Sequence, residues 1–492
     1  MKLFVLAYTI VILLLELGCI SLTAYSNREV KIKKTIEAGR TLEFGDGLFD
    51  VETDTILESA YGIPNKIYTI TSKIDLNGKT VNIASGCCLN FEGGSFTNGT
   101  LVGNNTRIIA LFGKIFSTSV KLEGTFNSDR IVMSWWGTRG IYENTEEVQC
   151  ALNSILKFSN RLFVFDMPVR ITDVSFTLKW SPGVKFIGFS NSNQNDLAIT
   201  VFGKDSQGFD ISGTENLRFE NLLFRGDEKY PPRTLLFASR YKENKQCPGH
   251  RFQDVSFCGK VTISQVYNYS GESWYFENCK FSIDRTSRCE AVYYATTINS
   301  KKLISKFGSI ETNITPLTYS SFCRCFFMNS TECPSIIFEG ARNSSGKLRN
   351  VASVLFDKCY FYTPKSTTAR FINPYGSITF MNSIDESGAD SNSDGSKPFY
   401  EFSGNCLMQG LIFFNNTIYT RKNSSIIEAT VPVRNYNAQS NYIINGNGTW
   451  RFSKLYDSRH LDLSPIERIE VEGDNKNVVI EGGNASNIKI KR

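Results

Sequence analysis

The sequence predicts an all-β solenoid, and three observations support this fold class. The chain has 492 residues, whereas a single compact core stops growing near about 250 to 300 residues. Phenylalanine occurs 37 times, and many copies recur as regularly spaced pairs. Helical periodicity is clear in one segment only. A repeated unit of short strands and turns explains the length and the spacing together.

The repeat is a pair of phenylalanines separated by four residues. The first members are Phe219, Phe252, Phe276, Phe322 and Phe356, and the second are Phe224, Phe257, Phe281, Phe327 and Phe361. A plain strand places one face at even spacings. Here the small or apolar positions lie at minus two, zero, plus three and plus five from the first phenylalanine. The phase therefore slips by one residue at a two-residue bend.

The bend residues distinguish a hairpin from a solenoid corner. A type I′ hairpin needs positive φ at both central residues and favours Asn-Gly. The bends contain no glycine, and only the second residue is often Asn or Asp, as in Asn221, Asp254 and Asn278. This composition supplies one left-handed residue per bend. The pattern therefore predicts a corner of a solenoid, with the interior on the same side before and after the turn.

The spacing of the repeats indicates the length of one coil. Successive first phenylalanines are 33, 24, 46 and 34 residues apart, and weaker copies follow at Phe380 and Phe413. These intervals fit coils of about 24 residues with loop insertions. The longest interval predicts one additional, unmarked coil between Phe276 and Phe322.

One short α-helix is expected from Asn144 to Phe158, with Thr145 as its cap. Its apolar face consists of Val148, Ala151, Leu152 and Ile155. The whole chain is predicted to divide into five parts. These are a signal peptide (1–26), an N-terminal segment (27–64), an N-terminal β-rich segment (65–134), the main solenoid with its helix (135–455) and a C-terminal strand segment (456–492).

The N-terminus predicts export. Residues Leu3 to Leu15 form an apolar run typical of a signal peptide. Two outcomes are possible for this segment. One is cleavage near Ser26, and the other is lipidation of Cys19, which ends a sequence similar to a bacterial lipobox. Retention as an uncleaved anchor would bury Glu16 in the membrane at a cost of about 2.5 to 3.5 kcal/mol. We expect a periplasmic, cell-surface or extracellular protein, in contact with a membrane only through a lipid at Cys19.

Charge and cysteine content narrow the partners. Lysine and arginine number 54 against 48 acidic residues, and no basic block is long enough to follow a phosphate backbone, so no nucleic acid partner is expected. The chain has no C-x-x-C pair and only two histidines. We therefore expect no metal site and no cofactor. Cys279, Cys325 and Cys359 occupy inward positions and are expected to be free thiols.

Three segments resemble the pectate-lyase-like superfamily of right-handed parallel β-helices. They are Ser134-Trp-Trp-Gly137, the helix from Asn144 to Asn153, and Phe163-Val-Phe-Asp-Met-Pro168. The likeness runs from about residue 130 to 420 and implies a right-handed parallel β-helix. The segment from Asp75 to Thr106 resembles leading segments of β-helix proteins exported by Bacteroidota, which implies a Gram-negative source.

The superfamily implies carbohydrate as a partner but does not fix a reaction, because it contains lyases, hydrolases, tailspikes and noncatalytic surface proteins. This chain has Asn144 where the family pattern usually has Asp, and it has no N-T-D, D-D and G-H-G series. We expect an exported, carbohydrate-directed protein, either a polysaccharide lyase or a glycoside hydrolase acting on an acidic polysaccharide. The alternative is a noncatalytic surface or tailspike-like binding protein.

Candidate site residues lie beside the repeated phenylalanines. Arg218, Arg251 and Tyr275 each precede a first phenylalanine and are expected to form one outward column. Two guanidiniums could bind sugar carboxylates while the aromatic ring contacts a sugar face. A solvated outer column is the alternative.

Three acids occupy the bends beside that column and are the candidate catalytic residues: Glu220, Asp254 and Glu277. Carboxylates on neighbouring coils would have separations in the range of glycosidase acid pairs. A ladder of turn residues is the alternative, since Asp254 shares the left-handed position with Asn221 and Asn278. His250 is expected to lie in the core or at a strand edge.

Overall fold

The protein is described from a computed structural model. It covers residues 42–43, 63–111, 113–138, 140, 142–176, 183–188, 198–239, 247–269, 271–297, 303, 317–342, 348–349, 351–390, 393, 396–404, 408–420, 425–431, 433–439, 441–444, 449–453, 468–472, 478–481 and 488–491. The predicted signal peptide and Cys19 lie outside these residues, so their fate stays a prediction. The described chain divides into two units, one up to Asp129 with Leu156–Asn160, and one with the remainder.

The first unit consists of short strands that pair in parallel. One sheet contains Leu42–Glu43, Ile67–Ile70, Thr80–Asn82, Cys88–Phe91, Gly99–Ile109 and Val120–Asn127, and a second contains Lys73–Asp75 and Ser95–Thr97. The residues Leu89, Phe91 and Phe96, which continue the apolar pattern, are buried.

The second unit contains three long parallel sheets. Sheet 1 is formed by Ile131–Val132, Leu162–Phe165, Lys185–Gly188, Arg218–Glu220, Arg251–Gln253, Tyr275–Glu277, Leu317–Cys323, Val351–Asp357, Ser377–Met381, Met408–Phe414, Val433–Gln439, Arg468–Glu472 and Ile488–Lys491. Sheet 2 is formed by Val169–Ile171, Ala198–Val201, Leu223–Gly226, Ser256–Gly259, Lys280–Ile283, Phe326–Asn329, Tyr360–Tyr362, Ile384–Asp385, Thr417–Tyr419 and Tyr442–Ile444. Sheet 3 is formed by Asp173–Ser175, Gly208–Asp210, Thr234–Ala238, Ser264–Tyr269, Tyr293–Thr296, Ile336–Glu339, Ala369–Ile372, Tyr400–Ser403, Ser425–Ala429, Thr449–Ser453 and Val478–Glu481.

From Leu162 to Ser453 the chain visits the three sheets in turn, so each coil there adds one strand to each sheet. This arrangement is a parallel β-helix and confirms the all-β solenoid. A small antiparallel pair, Ala341–Arg342 with Leu348–Arg349, lies in a loop between coils. The five-part division of the chain stays a prediction.

The repeated phenylalanines form the core between sheets 1 and 2. In sheet 1 the ring centroids of Phe219 and Phe252 are 4.9 Å apart, and those of Phe252 and Phe276 are 4.6 Å apart. In sheet 2 the rings of Phe281 and Phe327 are stacked at 4.7 Å. These distances match the spacing of about 4.8 Å between neighbouring strands. Each strand pairing thus also stacks two buried rings.

The bends between sheets 1 and 2 are solenoid corners, as predicted. Asn221, Asp254 and Asn278 have φ of 52°, 54° and 52°. The backbone N–H of Asp254 donates to the carbonyl of Glu277 on the next coil at 3.0 Å, and the N–H of Asn278 donates to the carbonyl of Cys323 at 3.0 Å. The left-handed residue therefore turns the chain while its N–H joins the ladder between coils.

One predicted feature of the coils is wrong. No unmarked coil lies between Phe276 and Phe322, because Tyr275 pairs directly with Ser321 and Phe276 with Phe322. The additional residues lie instead between the sheet 3 strand that ends at Thr296 and the sheet 1 strand that begins at Leu317. Coil length in this protein varies through the loops, whereas the strands keep their register.

The predicted helix is present at Thr145–Ser154 and continues as a 3-10 turn at Ile155–Lys157. The four predicted apolar residues, Val148, Ala151, Leu152 and Ile155, are buried. The assignment of Thr145 as the cap is wrong, because Asn144 occupies that position and Thr145 is the first helical residue. The Thr145 hydroxyl instead donates to the Glu143 carboxylate. Within the described residues, no helix is long and apolar enough to cross a membrane.

Three cysteines at inward corner positions are buried free thiols, as predicted: Cys279, Cys325 and Cys359. The Cys279 thiol donates to the carbonyl oxygen of Phe252 on the preceding coil at 3.4 Å, and the Cys359 thiol donates in the same way to Phe322 at 3.3 Å. Further along the solenoid, an asparagine amide does the same, from Asn416 to the carbonyl of Phe380 at 3.0 Å. At these three coils the inward corner side chain donates to a carbonyl of the preceding coil, whereas Leu222 and Val255 fill the same position without a donor.

Candidate functional site

The outward column on sheet 1 forms as expected. The register pairs Lys185 with Arg218, Arg218 with Arg251, and Arg251 with Tyr275. The coils that begin at Phe219, Phe252 and Phe276 are therefore consecutive. Arg218, Arg251 and Tyr275 are exposed. We call the four residues that are paired in this way the cationic column: Lys185, Arg218, Arg251 and Tyr275.

The two arginines of the cationic column differ from its lysine in their ion pairing. Within the described part of the chain, neither Arg218 nor Arg251 forms an ion pair. The Arg251 guanidinium carbon lies 5.6 Å from the centroid of the Tyr275 ring, a cation–π contact that leaves the guanidinium N–H groups available. Lys185 differs, because its ammonium group is paired with the Glu220 carboxylate. Among the described residues, the column therefore presents two guanidiniums without an ion pair, at paired positions of neighbouring strands.

The three candidate acids do not share one position. Glu220, Gln253 and Glu277 are paired in register and form one column beside the cationic column. Asp254 lies one residue further along its bend, at the left-handed corner position with Asn221 and Asn278. Glu220 and Glu277 are therefore aligned two coils apart, whereas Asp254 belongs to the neighbouring row.

Two of these acids are in ion pairs. The Glu220 carboxylate pairs with Lys185, and the Glu277 carboxylate pairs with Arg324. The Arg324 guanidinium also donates to the Asn278 side-chain oxygen at 2.7 Å. Asp254 is exposed. The arrangement can hold a charged ligand between guanidiniums and an aromatic ring, and the catalytic role of the acids stays a prediction.

His250 lies in the core, as expected. Its side chain is fully buried and its Nδ1 accepts a hydrogen bond from the Leu217 backbone N–H at 3.2 Å. Its ring packs edge-on against Trp274 with centroids 5.2 Å apart. Burial lowers the pKa of His250 to about 3, so the imidazole is neutral at physiological pH. It does not face the cationic column.

Two features of this region were missed from the sequence. Lys185 belongs to the column although its coil has Phe186 without the second phenylalanine of the repeat. Arg324 neutralises Glu277 from the left-handed position of the next coil, with φ of 53°. The residue Phe186 was a usable signal, because Lys185-Phe186 precedes its bend as Arg218-Phe219 does. The repeat from Phe322 to Phe327 places Arg324 at a bend, but no local pattern identifies it as the ion-pair partner of Glu277.

The comparisons with known proteins found only distant structural similarity, so the assignment as a parallel β-helix rests on the sheets described above. No family model matches the sequence, and no curated protein matches it. Among solved structures, ORF18 of Geobacillus virus E2 is similar, with 13% identity, a TM-score of 0.33, and coverage of 64% of this chain and 61% of that one. The tailspike gp49 of Acinetobacter baumannii bacteriophage Fri1, a capsular polysaccharide depolymerase, has 11% identity, a TM-score of 0.25, and coverage of 83% and 62%.

A third similar structure is PfbA, a surface protein and adhesin of Streptococcus pneumoniae, with 12% identity, a TM-score of 0.30, and coverage of 77% of this chain and 90% of that one. The chain spans about three fifths of the length of the first two structures. At these scores the comparisons carry no argument about chemistry. The chain is a parallel β-helix protein, and its membership of the pectate-lyase-like superfamily stays a prediction.

Proposed function

We propose that this chain is an exported protein that binds an acidic polysaccharide along the cationic column. The observation that carries the proposal is the pair of exposed guanidiniums, Arg218 and Arg251, held in register with no carboxylate partner among the residues that the structure describes. Guanidinium groups are donors only and bind carboxylates through two parallel hydrogen bonds. Tyr275 adds an exposed ring at the end of the pair. A sugar chain with carboxylate groups would supply acceptors for the guanidiniums and a sugar face for the Tyr275 ring.

The energetics of the column favour an anionic ligand. Two like charges at paired positions of neighbouring strands, whose backbones are about 4.8 Å apart, repel one another, and salt only partly screens them. Lys185 adds a third cation to the row, although Glu220 neutralises it. An anion bound to both arginines would remove the repulsion without any change in the backbone. Export, which would bring the protein to extracellular polysaccharides, rests on the N-terminal apolar run.

A catalytic role, as a lyase or hydrolase, is the second candidate. The alignment of Glu220 and Glu277 favours it, because two strand spacings are about 10 Å, close to the upper limit of about 9.5 Å for inverting acid pairs. The ion pairs to Lys185 and Arg324 favour binding over catalysis, since they occupy both carboxylates.

Affinity electrophoresis tests the proposal. The protein is run through native gels that contain polygalacturonate, alginate or heparin, with dextran as the neutral control. We expect retardation in at least one acidic gel and release at high salt. The proposal fails if no acidic polymer retards the protein. The chain length of each polymer after incubation separates the candidates, because only an enzyme shortens it.

A further inference from the structure

The outward side of sheet 2 presents aromatic and aliphatic groups over three consecutive coils. The register places Phe326, Tyr360 and Ile384 in one column, and Met328 beside Tyr362 in the next. Phe326 is 48% exposed, Met328 40% and Ile384 41%. We call these five residues the aromatic face. A patch of exposed apolar groups of this kind typically marks an interaction site.

The two tyrosines of the aromatic face are held by carboxylates. The Tyr360 hydroxyl donates to the Glu386 carboxylate at 2.7 Å, and the Tyr362 hydroxyl donates to the Asp390 carboxylate at 2.8 Å. Burial, followed by the hydrogen bond to Glu386, raises the pKa of Tyr360 to about 12, so the phenol keeps its proton. Both phenol protons are therefore used in hydrogen bonds within the protein. The oxygens that remain on this rim accept hydrogen bonds and do not donate them.

The rings form a platform. The centroids of Phe326 and Tyr360 are 5.8 Å apart with an interplanar angle of 38°. Behind them, Phe327 and Phe361 are stacked in the core at 5.4 Å and keep the two strands in register. The outward rings are thus fixed by buried rings one residue away, which lowers the entropic cost of presenting them to a ligand.

Charge selects among the ligands that could cover this platform. The Glu386 carboxylate places a negative charge beside the rings, and the nearest described cations in register are Lys280, next to Phe326, and Arg225, three coils before Met328. An acidic polymer would be repelled. The face suits a ligand with apolar C–H surfaces for the rings, hydroxyl donors for the acceptor rim and no negative charge.

We propose that the aromatic face binds a neutral glycan, with sugar rings over Phe326 and Tyr360 and sugar hydroxyls donating to Glu386. This site goes beyond the proposed function, because it uses another sheet and the opposite chemistry. The cationic column offers donors to anions, and the aromatic face offers acceptors to neutral hydroxyls. The two sites can therefore be tested independently.

The test uses the full chain in native gels that contain hydroxyethyl cellulose, mannan, galactan or laminarin. We expect at least one neutral polymer to retard the wild-type protein. The double variant Phe326→Ala/Tyr360→Ala should bind that polymer about tenfold more weakly, the scale of an aromatic contact. Tyr230→Ala is the matched control, because Tyr230 is 43% exposed but lies outside the face. Arg251→Ala should keep neutral binding unchanged.

Circular dichroism and thermal unfolding establish that the double variant is folded, and Phe326→Ser provides a milder change if it is not. The proposal is overturned if no neutral polymer retards the wild type, or if the folded variants bind as the wild type does. Analytical ultracentrifugation adds a third contradictory outcome. An oligomer of the wild type that the double variant dissociates would show that a second copy covers this face.

Discussion

The charged side chains on sheet 1 differ in their ion-pair partners, and the proposed binding of an acidic polysaccharide depends on this difference. Lys185 pairs with Glu220, and Arg324 pairs with Glu277. The Arg251 guanidinium lies over the face of the Tyr275 ring, 5.6 Å from its centroid. Ion pairs near the surface contribute little to stability, so we expect substitutions of these groups to change ligand binding more than the stability of the fold.

His250 predicts a pH dependence of stability. Its pKa is about 3 in the folded protein and about 6.5 in an unfolded chain. Between these values the unfolded state binds the additional proton, so stability is lost as the pH falls from about 6.5 toward 3. Above pH 6.5 this contribution is fully present.

The measurement is urea unfolding of the wild type and of His250→Leu at pH 7.5 and 4.5. We expect the wild type to lose on the order of 2 kcal/mol more than the variant between the two pH values. Equal losses in both proteins would show that His250 is not buried as a neutral ring.

Among the structural elements, the corner between sheets 1 and 2 was the most predictable. Its two-residue phase slip is local, and the residues Asn221, Asp254 and Asn278 are types that tolerate positive φ. Arg324 and Lys358 adopt the same conformation, with φ of 53° and 55°. Arg and Lys do not favour positive φ, so at these two positions only the spacing of the paired phenylalanines marks the corner.

Asp254 provides a test of the corner and of the catalytic prediction together. Asp254→Asn should leave stability and polysaccharide binding unchanged, because Asn accepts φ of 54° as readily. Asp254→Val should destabilise the protein by about 1 to 3 kcal/mol. Gln253→Val is the matched control, since Gln253 is an exposed strand residue on the same bend.

Chemical unfolding gives the stabilities, and the length of an acidic polymer after incubation gives the activity. A loss of polymer cleavage in Asp254→Asn would support the prediction that Asp254 is a catalytic residue. Equal destabilisation by Asp254→Val and Gln253→Val would contradict the left-handed corner.

Other elements could not be predicted, for physical reasons. The interval from Phe276 to Phe322 suggested another coil, because loop length leaves no mark on the strand pattern. Glu220, Asp254 and Glu277 were grouped by charge, whereas the register aligns Glu220 with Gln253 and Glu277. The aromatic face could not be predicted from the repeat, because the outward residues of a solenoid need no periodicity. The one local indication is Phe326-Phe327-Met328, an apolar run in a strand of which only the middle residue faces inward.

In the second unit as a whole, the surface chemistry changes along the solenoid. The coils from Lys185 to Tyr275 present cations on sheet 1, and the coils from Phe326 to Ile384 present aromatic and aliphatic groups on sheet 2. Both sets sit on a common core of stacked phenylalanines. Substitutions on either surface should therefore alter binding while leaving the core, and hence the stability, nearly unchanged.

The most direct test is the affinity of the acidic polysaccharide selected by electrophoresis for the wild type, Arg251→Ala and Arg218→Ala/Arg251→Ala. Titration calorimetry at two salt concentrations should show a loss of about 1.5 to 3 kcal/mol for Arg251→Ala, a larger loss and a weaker salt dependence for the double variant, and nearly unchanged melting temperatures. Arg285→Ala, at an exposed arginine outside the column, should bind as the wild type does. Wild-type affinity in the folded double variant would contradict the assignment of the cationic column.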